Sequence, residues 1–351
     1  MLWSDPVAMH GVAVTRLEAL LRIVHEAETG AGHWVMPIST SWSRSAVPWH
    51  HSRATCDRLS LANQLQGWRD DMKFGGAMFF TEYSMTSPEL AVALEERGYD
   101  SVWAPEHSHI PLSRKTPFPG GGELPKQYAD AMDPFVVLTA AGCATKTIKL
   151  GTGVLLVQQR DTIQTAKLVA SIDQVSQGRF LFGVGGGWNQ DEMENHGTVY
   201  ATRFKRMRES IEAMKEIWTK PKAEYHGEFV NFDPMMAWPK PVQRPHPPIH
   251  VGGAFPHAAR RAIRYGDGWI PTARGELAAQ LPEFQKMARE AGRDPASIEV
   301  TSFGLAEDLD RLKRLKDLGV ARVVPMFPPE KSDKVLPIID RWAKLMQQVN
   351  G

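Results

Sequence analysis

Cysteine is almost absent from this chain: Cys56 and Cys143 are the two in 351 residues. So sparse a pair, set in regions of different pattern, builds no disulfide framework and points to a reducing, cytoplasmic setting. Net charge is nearly absent as well, at +1, which gives no reason to expect nucleic acid or an acidic membrane as a partner. No apolar run reaches the roughly 20 residues that a membrane span needs. Several chemistries lack their motifs. There is no HExxH or cysteine cluster to hold a metal, no Ser or Cys in a nucleophile-elbow setting, and no GxGxxG or P-loop. Lysine is missing from the first 71 residues, which nevertheless hold five of the 11 tryptophans. Their one helix-like segment, Leu17 to Val24, is not repeated. Residues 1–71 are therefore expected to be a poorly structured N-terminal extension, or to lie upstream of a true start at Met72. A lid or partner-binding arm is the functional alternative.

What the chain does have is a repeat of strand and helix patterns. Strand-type apolar runs at 73–79, 99–106, 148–156, 180–187, 249–253, 268–271, 299–305 and 322–327 alternate with helical spacing at 88–97, 134–145, 162–175, 203–218, 257–265, 277–291, 309–318 and 334–348. Gly, Pro or Asp stand at the joints. Successive units of this kind argue for a parallel sheet with right-handed crossovers. Eight of them in one domain, residues 72–351, argue for a closed (β/α)8 TIM barrel. The 42% hydrophobic content is enough to fill one large core. Two stretches break the rhythm. Lys222 to Pro248 precedes the fifth strand; it reads as a hairpin turning at Gly227, then an extended path enforced by Pro239, Pro241, Pro245, Pro247 and Pro248. Ser108 to Asp133 follows the second strand and is long for a barrel loop, so it is either a functional lid or a mobile segment.

Barrel chemistry sits at the carboxyl ends of the strands. The fourth strand runs into Gly185, Gly186, Gly187 and Trp188, within FLFGVGGGWNQDE (180–192). Glycines there allow close approach of a ligand, and their amides suit an anion such as a phosphate. A tight connection with no ligand is the plainer explanation of such a turn. The third strand carries Gly151, Gly153 and Val154, and the fifth ends in Gly252 and Gly253. The second ends in one acid and one imidazole, Glu106 and His107. Glycine openings, aromatic groups, an acid and an imidazole suit a flat, phosphate-bearing cofactor better than a hydrolytic site. His107 is a proton-transfer candidate and His109 its rival; the plain alternative for His107 is a loop histidine bonded to backbone. Glu106 either joins the chemistry or holds the loop. Asp191 and Glu192 read as loop and helix-start charges.

From Met72 to about Ala343 the chain resembles the luciferase-like flavin-dependent monooxygenases, most closely their deazaflavin (coenzyme F420) oxidoreductase branch. The resemblance rests on SVWAPEHSHIP (101–111), KLGTGVLL (149–156), GRFLFGVGGGWNQDE (178–192), PPIHVGG (247–253) and GDGWIP (266–271). It implies a barrel with an insertion before the fifth strand. It implies a non-prolyl cis peptide at Gly153–Val154 backing the ring of the cofactor, and backbone contacts from Gly185 to Gly187 and from Gly252 and Gly253 to the phosphate region. It places Glu106 and His107 facing the ring, as catalytic residues. Some sugar-phosphate dehydrogenases of that branch carry a Glu immediately after the fourth-strand glycines. Here Trp188 stands there, so it either covers the ring or walls the substrate pocket, or simply packs. The implied activity is F420-dependent hydride transfer to or from a small organic substrate. An FMN-dependent monooxygenase using reduced flavin and oxygen is the alternative, and a non-catalytic cofactor-binding protein the third possibility. Arg160, Arg203 and Lys205 are candidate contacts for an acidic cofactor tail. The expected assembly is a homodimer.

Overall fold

The computed structural model describes residues 71–272 and 276–351. The expectations for the N-terminal extension fall, apart from Asp71, outside the described residues. The chain runs through β1 (Lys73–Ala77), α1 (Ser87–Glu95), β2 (Ser101–Ala104), α2 (Gln127–Asp130), α3 (Pro134–Ala144), β3 (Lys149–Thr152), α4 (Thr162–Val175), β4 (Phe180–Gly185), α5 (Gln190–Asn195) and α6 (Arg203–Thr219). There follow β5 (Ala223–His226), β6 (Asn231–Met235), β7 (Ile249–Gly253), α7 (His257–Tyr265), β8 (Gly268–Pro271), α8 (Leu277–Glu290), β9 (Glu299–Phe303), α9 (Leu309–Asp317), β10 (Arg322–Val324) and α10 (Ser332–Asn350). Eight strands close a parallel barrel in the order β1-β10-β9-β8-β7-β4-β3-β2, while β5 and β6 form a separate antiparallel pair. This is the (β/α)8 barrel, and the excursion before its fifth strand is the expected hairpin.

Local chemistry sets the helix starts. Thr86 and Glu89 form a reciprocal capping box at α1, with Pro88 in the first turn, where its missing N–H costs nothing. The Asp133, Asp161 and Asp308 side chains accept from backbone amides of the first turns of α3, α4 and α9. Each satisfies donors that the helix itself leaves open.

Trp103, fully buried, fills the barrel interior with Ala77, Leu181, Ile270 and Val324. A β-carbon at Gly151 would lie 2.2 Å from its ring, so the glycine there is what lets the indole in. Where the strands begin, a charged floor replaces the apolar fill. The wholly buried Arg322 donates to Asp100 at 2.8 Å and to Glu299 at 3.1 Å. Against the opposing push of burial, Arg322 and Lys73 hold the Glu299 carboxyl down at about 2. Beside this network lies His250, fully buried with no hydrogen-bond partner on either ring nitrogen. Burial, with Arg322 adding to it, pushes that imidazole down to about 3, so it folds neutral.

Two differences from the sequence reading bear on function. β2 ends at Ala104 and β3 at Thr152, so Glu106 and His107 stand on a loop, while Gly153 and Val154 lie just past the regular strand, flanked by the Gly153–Ala104 backbone bond and the Leu155–Val184 bridge. The short helix α5 follows the glycine loop directly, where only a later helix was expected.

Candidate functional site

His107 lies just past the end of β2. Its Nδ1 is 2.7 Å from the Glu192 carboxylate, which is itself wholly buried on α5. The second Glu192 oxygen accepts from the Ser108 amide at 3.0 Å and faces the Ser108 hydroxyl at 3.4 Å. His107 Nε2 has no hydrogen-bond partner among the described residues. Aromatic side chains surround this imidazole. Its ring centroid is 5.2 Å from Tyr128 and 5.8 Å from Trp188. Phe118 bridges the two, 5.2 Å from Tyr128 and 5.9 Å from Trp188, and Phe79 closes on Tyr128 at 4.7 Å. Three separate strand ends, after β1, β2 and β4, thus converge on one aromatic cage.

The structure revises the expectation for Glu106. Both of its carboxylate oxygens are already engaged: one accepts from the Leu156 amide at 2.5 Å, the other from Arg160 Nε at 2.6 Å. Arg160 also holds Asp133, the cap of α3. Burial pushes the Glu106 carboxyl up from its ordinary range, and the Arg160 guanidinium pulls against it. A carboxylate tied to an amide and a guanidinium fixes loops together; it is not free to exchange a proton with a ligand. His109 is equally committed, with Ser108 Oγ at 2.9 Å on Nδ1 and Asn195 Nδ2 at 2.9 Å on Nε2.

The long loop after β2 is strapped to α5. The buried Asp191 carboxylate accepts from the Ser113 hydroxyl and, at 2.9 Å, from the Lys115 amide, and Thr116 Oγ1 accepts from the Gln190 amide at 3.1 Å. The Ser113 and Lys115 bonds hold the Asp191 carboxyl below its ordinary range. The strap carries Phe118, so the loop supplies part of the cage wall.

The site glycines lie at the ends of β3, β4 and β7. The Gly153–Val154 peptide is cis, as the resemblance implied, and Val154 projects toward the ends of β4 and β7. A β-carbon on Gly185 would come within 2.5 Å of its side chain and one on Gly252 within 2.9 Å. These two glycines make room for Val154 first. Gly186 is pressed by the Phe204 ring, while Gly187 (φ 62°) and Gly253 (φ 137°) adopt backbone angles that favour glycine. Two guanidiniums lie against the same Phe204 ring, Arg203 on α6 at 4.2 Å and Arg261 on α7 at 3.6 Å. Among the described residues neither has a carboxylate partner, and Arg203 Nε is buried without a hydrogen-bond acceptor. Burial lowers both from the usual guanidinium range, and Arg203 lowers Arg261 further. Two half-buried like charges without counter-ions make a site that favours an anion.

A family model described as luciferase-like monooxygenase matches residues 82–306. The chain belongs to the luciferase-like monooxygenase family. An uncharacterised protein of Mycobacterium tuberculosis is 37% identical over 277 residues, spanning 78% of this chain and 98% of that protein. An F420-dependent hydroxymycolic acid dehydrogenase of Mycobacterium tuberculosis is 30% identical over 65% of this chain and 61% of its own length. An FMNH2-dependent dimethylsulfone monooxygenase of Pseudomonas putida is 32% identical over 47% of this chain and 46% of its own. Among solved structures, an F420-dependent secondary alcohol dehydrogenase in complex with an F420–acetone adduct superimposes with a TM-score of 0.64 at 20% identity, covering 80% of this chain and 99% of that one. At that identity the likeness concerns the fold.

Within this luciferase-like barrel the sequence-predicted residues divide into two groups. His107 and Trp188 meet in the cage; Gly185 and Gly252 pack on Val154, Gly186 lies against Phe204 beside the arginines, Gly187 faces Met193 and Gly253 Ala258, while Gly153 faces Phe303 and Trp103 in the barrel interior. Sequence reasoning missed Glu192, the lid aromatics Phe118 and Tyr128, and Arg261. The DE pair after the glycine loop was the available signal for Glu192. Nothing in the linear pattern revealed its burial.

Proposed function

We propose that this luciferase-like protein is an F420-dependent oxidoreductase, moving a hydride between the deazaflavin and a small organic substrate, with His107 exchanging the substrate proton. The observation that carries this reading is the imidazole–carboxylate pair. Glu192 holds Nδ1 at 2.7 Å, and Nε2 is without a partner among the described residues. A carboxylate on one ring nitrogen fixes tautomer and orientation, so that the other can give or take a proton at a ligand atom.

The residues present fit a flat cofactor with a phosphate. The orphaned Arg203 Nε and the uncompensated Arg261 are the countercharge. Gly185 to Gly187 and Gly252 to Gly253 would present backbone to the phosphate region. Gly153–Val154 would back the ring and Trp188 would wall it. When bound, such a cofactor supplies the hydride chemistry, and the protein supplies orientation and proton transfer. Glu106 acts one step removed. By tying Leu156 and Arg160 to the end of β2 it sets where His107, the next residue, stands.

The FMN-dependent monooxygenase reading shares this site, and the dimethylsulfone monooxygenase relative supports it. F420 is favoured by the dehydrogenase relative, which matches more of the chain, and by the surplus of uncompensated positive charge where an oligoglutamate tail would begin. The test of the His107 role is kinetic. His107→Ala lowers kcat by about 10² to 10⁴-fold, with cofactor affinity changed far less. His107→Gln, which keeps a hydrogen bond but cannot titrate, is also slow. Near-wild-type turnover in the Ala variant would end the proposal.

A further inference from the structure

We infer that the substrate of this site is uncharged, with an apolar body and one hydroxyl or carbonyl oxygen, and that phosphorylated and carboxylated compounds are excluded. The inference rests on the reading of His107 as the group that meets the substrate. Its basis is the way charge is divided across the barrel mouth.

The cage around His107 is built from Phe79, Phe118, Tyr128 and Trp188. Among the described residues, three cations of the loops around it are paired with carboxylates. Lys115 lies 3.4 Å from Glu194 and 3.8 Å from Asp191, Lys126 is 2.7 Å from Asp130, and Arg160 is held by Glu106 and Asp133. Arg114 stands exposed on the loop surface. Beneath the cage are two buried carboxylates, Glu192 and Asp191. Arg203 and Arg261, neither with a carboxylate partner among the described residues, lie instead against Phe204, which packs on Gly186 at the end of β4.

An anionic substrate entering the cage would therefore lose its hydration, find no unpaired cation among the described cage residues, and approach Glu192. Burying an unpaired charge is strongly unfavourable. By contrast, of the side chains that form the cage, His107 Nε2, Trp188 Nε1 and the Tyr128 hydroxyl have no hydrogen-bond partner among the described residues. None carries a fixed charge, and together they suit one oxygen of a neutral molecule. Burial raises the Tyr128 phenol above its ordinary range, so it stays a donor.

The experiment uses matched probes and the full chain with whatever cofactor it retains. Cyclohexanone and 4-oxocyclohexanecarboxylate differ by one charge. Their binding is measured by calorimetry, together with 2-octanone and glucose 6-phosphate. The neutral ketones bind, and the charged partners bind at least roughly 100-fold more weakly, because an unpaired charge in an apolar site forfeits more affinity than a missing methylene does. Trp188→Ala and, on the lid, Phe118→Ala each weaken ketone binding while the melting temperature of at least one variant stays near wild type. Equal or tighter binding of the carboxylate or the sugar phosphate overturns the inference. So does failure of both neutral ketones to bind, or ketone binding untouched by both variants. Binding is read without turnover, so a site that takes ketones yet converts none with either cofactor would count against the proposed reaction and leave the substrate class standing.

Discussion

Replacing Glu192 by Gln removes one charge and keeps the shape. The Gln carbonyl can still accept from the Ser108 amide, now 3.0 Å from Glu192 Oε1. Its amide N–H₂ then faces His107 Nδ1, at the position where the carboxylate oxygen sits 2.7 Å away. An N–H donor there makes Nδ1 the acceptor and forces the proton onto Nε2, the reverse of the tautomer that a carboxylate selects. A hydrogen bond to a charged group contributes about 1.5–3 kcal/mol. Lost entirely in the transition state, that is about 10- to 150-fold in rate. Glu192→Gln is therefore expected to lower kcat within that range with KM little changed, a smaller loss than His107→Ala produces. Because Glu192 acts through His107, the double variant is expected to be no slower than His107→Ala alone. Groups that act as one unit are non-additive in this way. Steady-state kinetics of the three variants, with thermal melts to establish folding, make the measurement. Wild-type kcat in Glu192→Gln, or a double variant whose loss is the product of the two single losses, would refute the reasoning.

Other consequences are as direct. Arg261→Ala and Arg203→Ala should each weaken cofactor binding by about tenfold or more, as loss of a charge-assisted bond requires, with kcat at saturating cofactor largely kept; fluorescence titration checks this. His250 folds with its imidazole pushed down to about 3, below its unfolded value. Its neutral form is thus favoured in the folded state, and stability is lost as pH falls from about 6.5, by about 1.4 kcal/mol per pH unit while the unfolded chain alone takes up the proton. Melting temperatures of His250→Asn are expected to be flatter than wild type between pH 6.5 and 4.5, above the range where carboxylates such as Glu299 begin to protonate. A chain beginning at Met72 should melt and bind cofactor as the full chain does, since Met72 is already tied to Asn350 by bonds of 3.1 and 2.9 Å; a large loss of either would show that the first 71 residues support the barrel.

The barrel was legible because its strands and helices keep different periods, and eight such alternations leave little architectural choice. Strand ends were less so. Apolar character continues past Ala104 and Thr152, but the regular strands do not: β2 gives way to a loop at Pro105, and past β3 the pairing continues as the isolated Leu155–Val184 bridge. The glycines at 185 and 252 were read as openings for a ligand. Their nearest neighbour is Val154, which the sequence places 31 residues before one and 98 before the other. α5 was missed because its six residues, QDEMEN, carry no apolar stripe; they are held by the lid through Asp191 and by His107 through Glu192, and those partners lie 76 to 85 residues away in the chain. Arg261 looks like any helix-surface arginine until the absence of a carboxylate beside it is seen in three dimensions.

The claim that this luciferase-like barrel works with F420 is tested most directly by offering it both cofactors. Purified protein is titrated separately with F420 and with FMN, and the bound fluorescence gives each Kd; the loaded protein is then assayed with neutral secondary alcohols or ketones with oxygen excluded. The account predicts at least tenfold tighter binding of F420 than of FMN, and turnover that needs no oxygen. Tighter binding of FMN, with activity appearing only when oxygen and reduced flavin are supplied together, would contradict it.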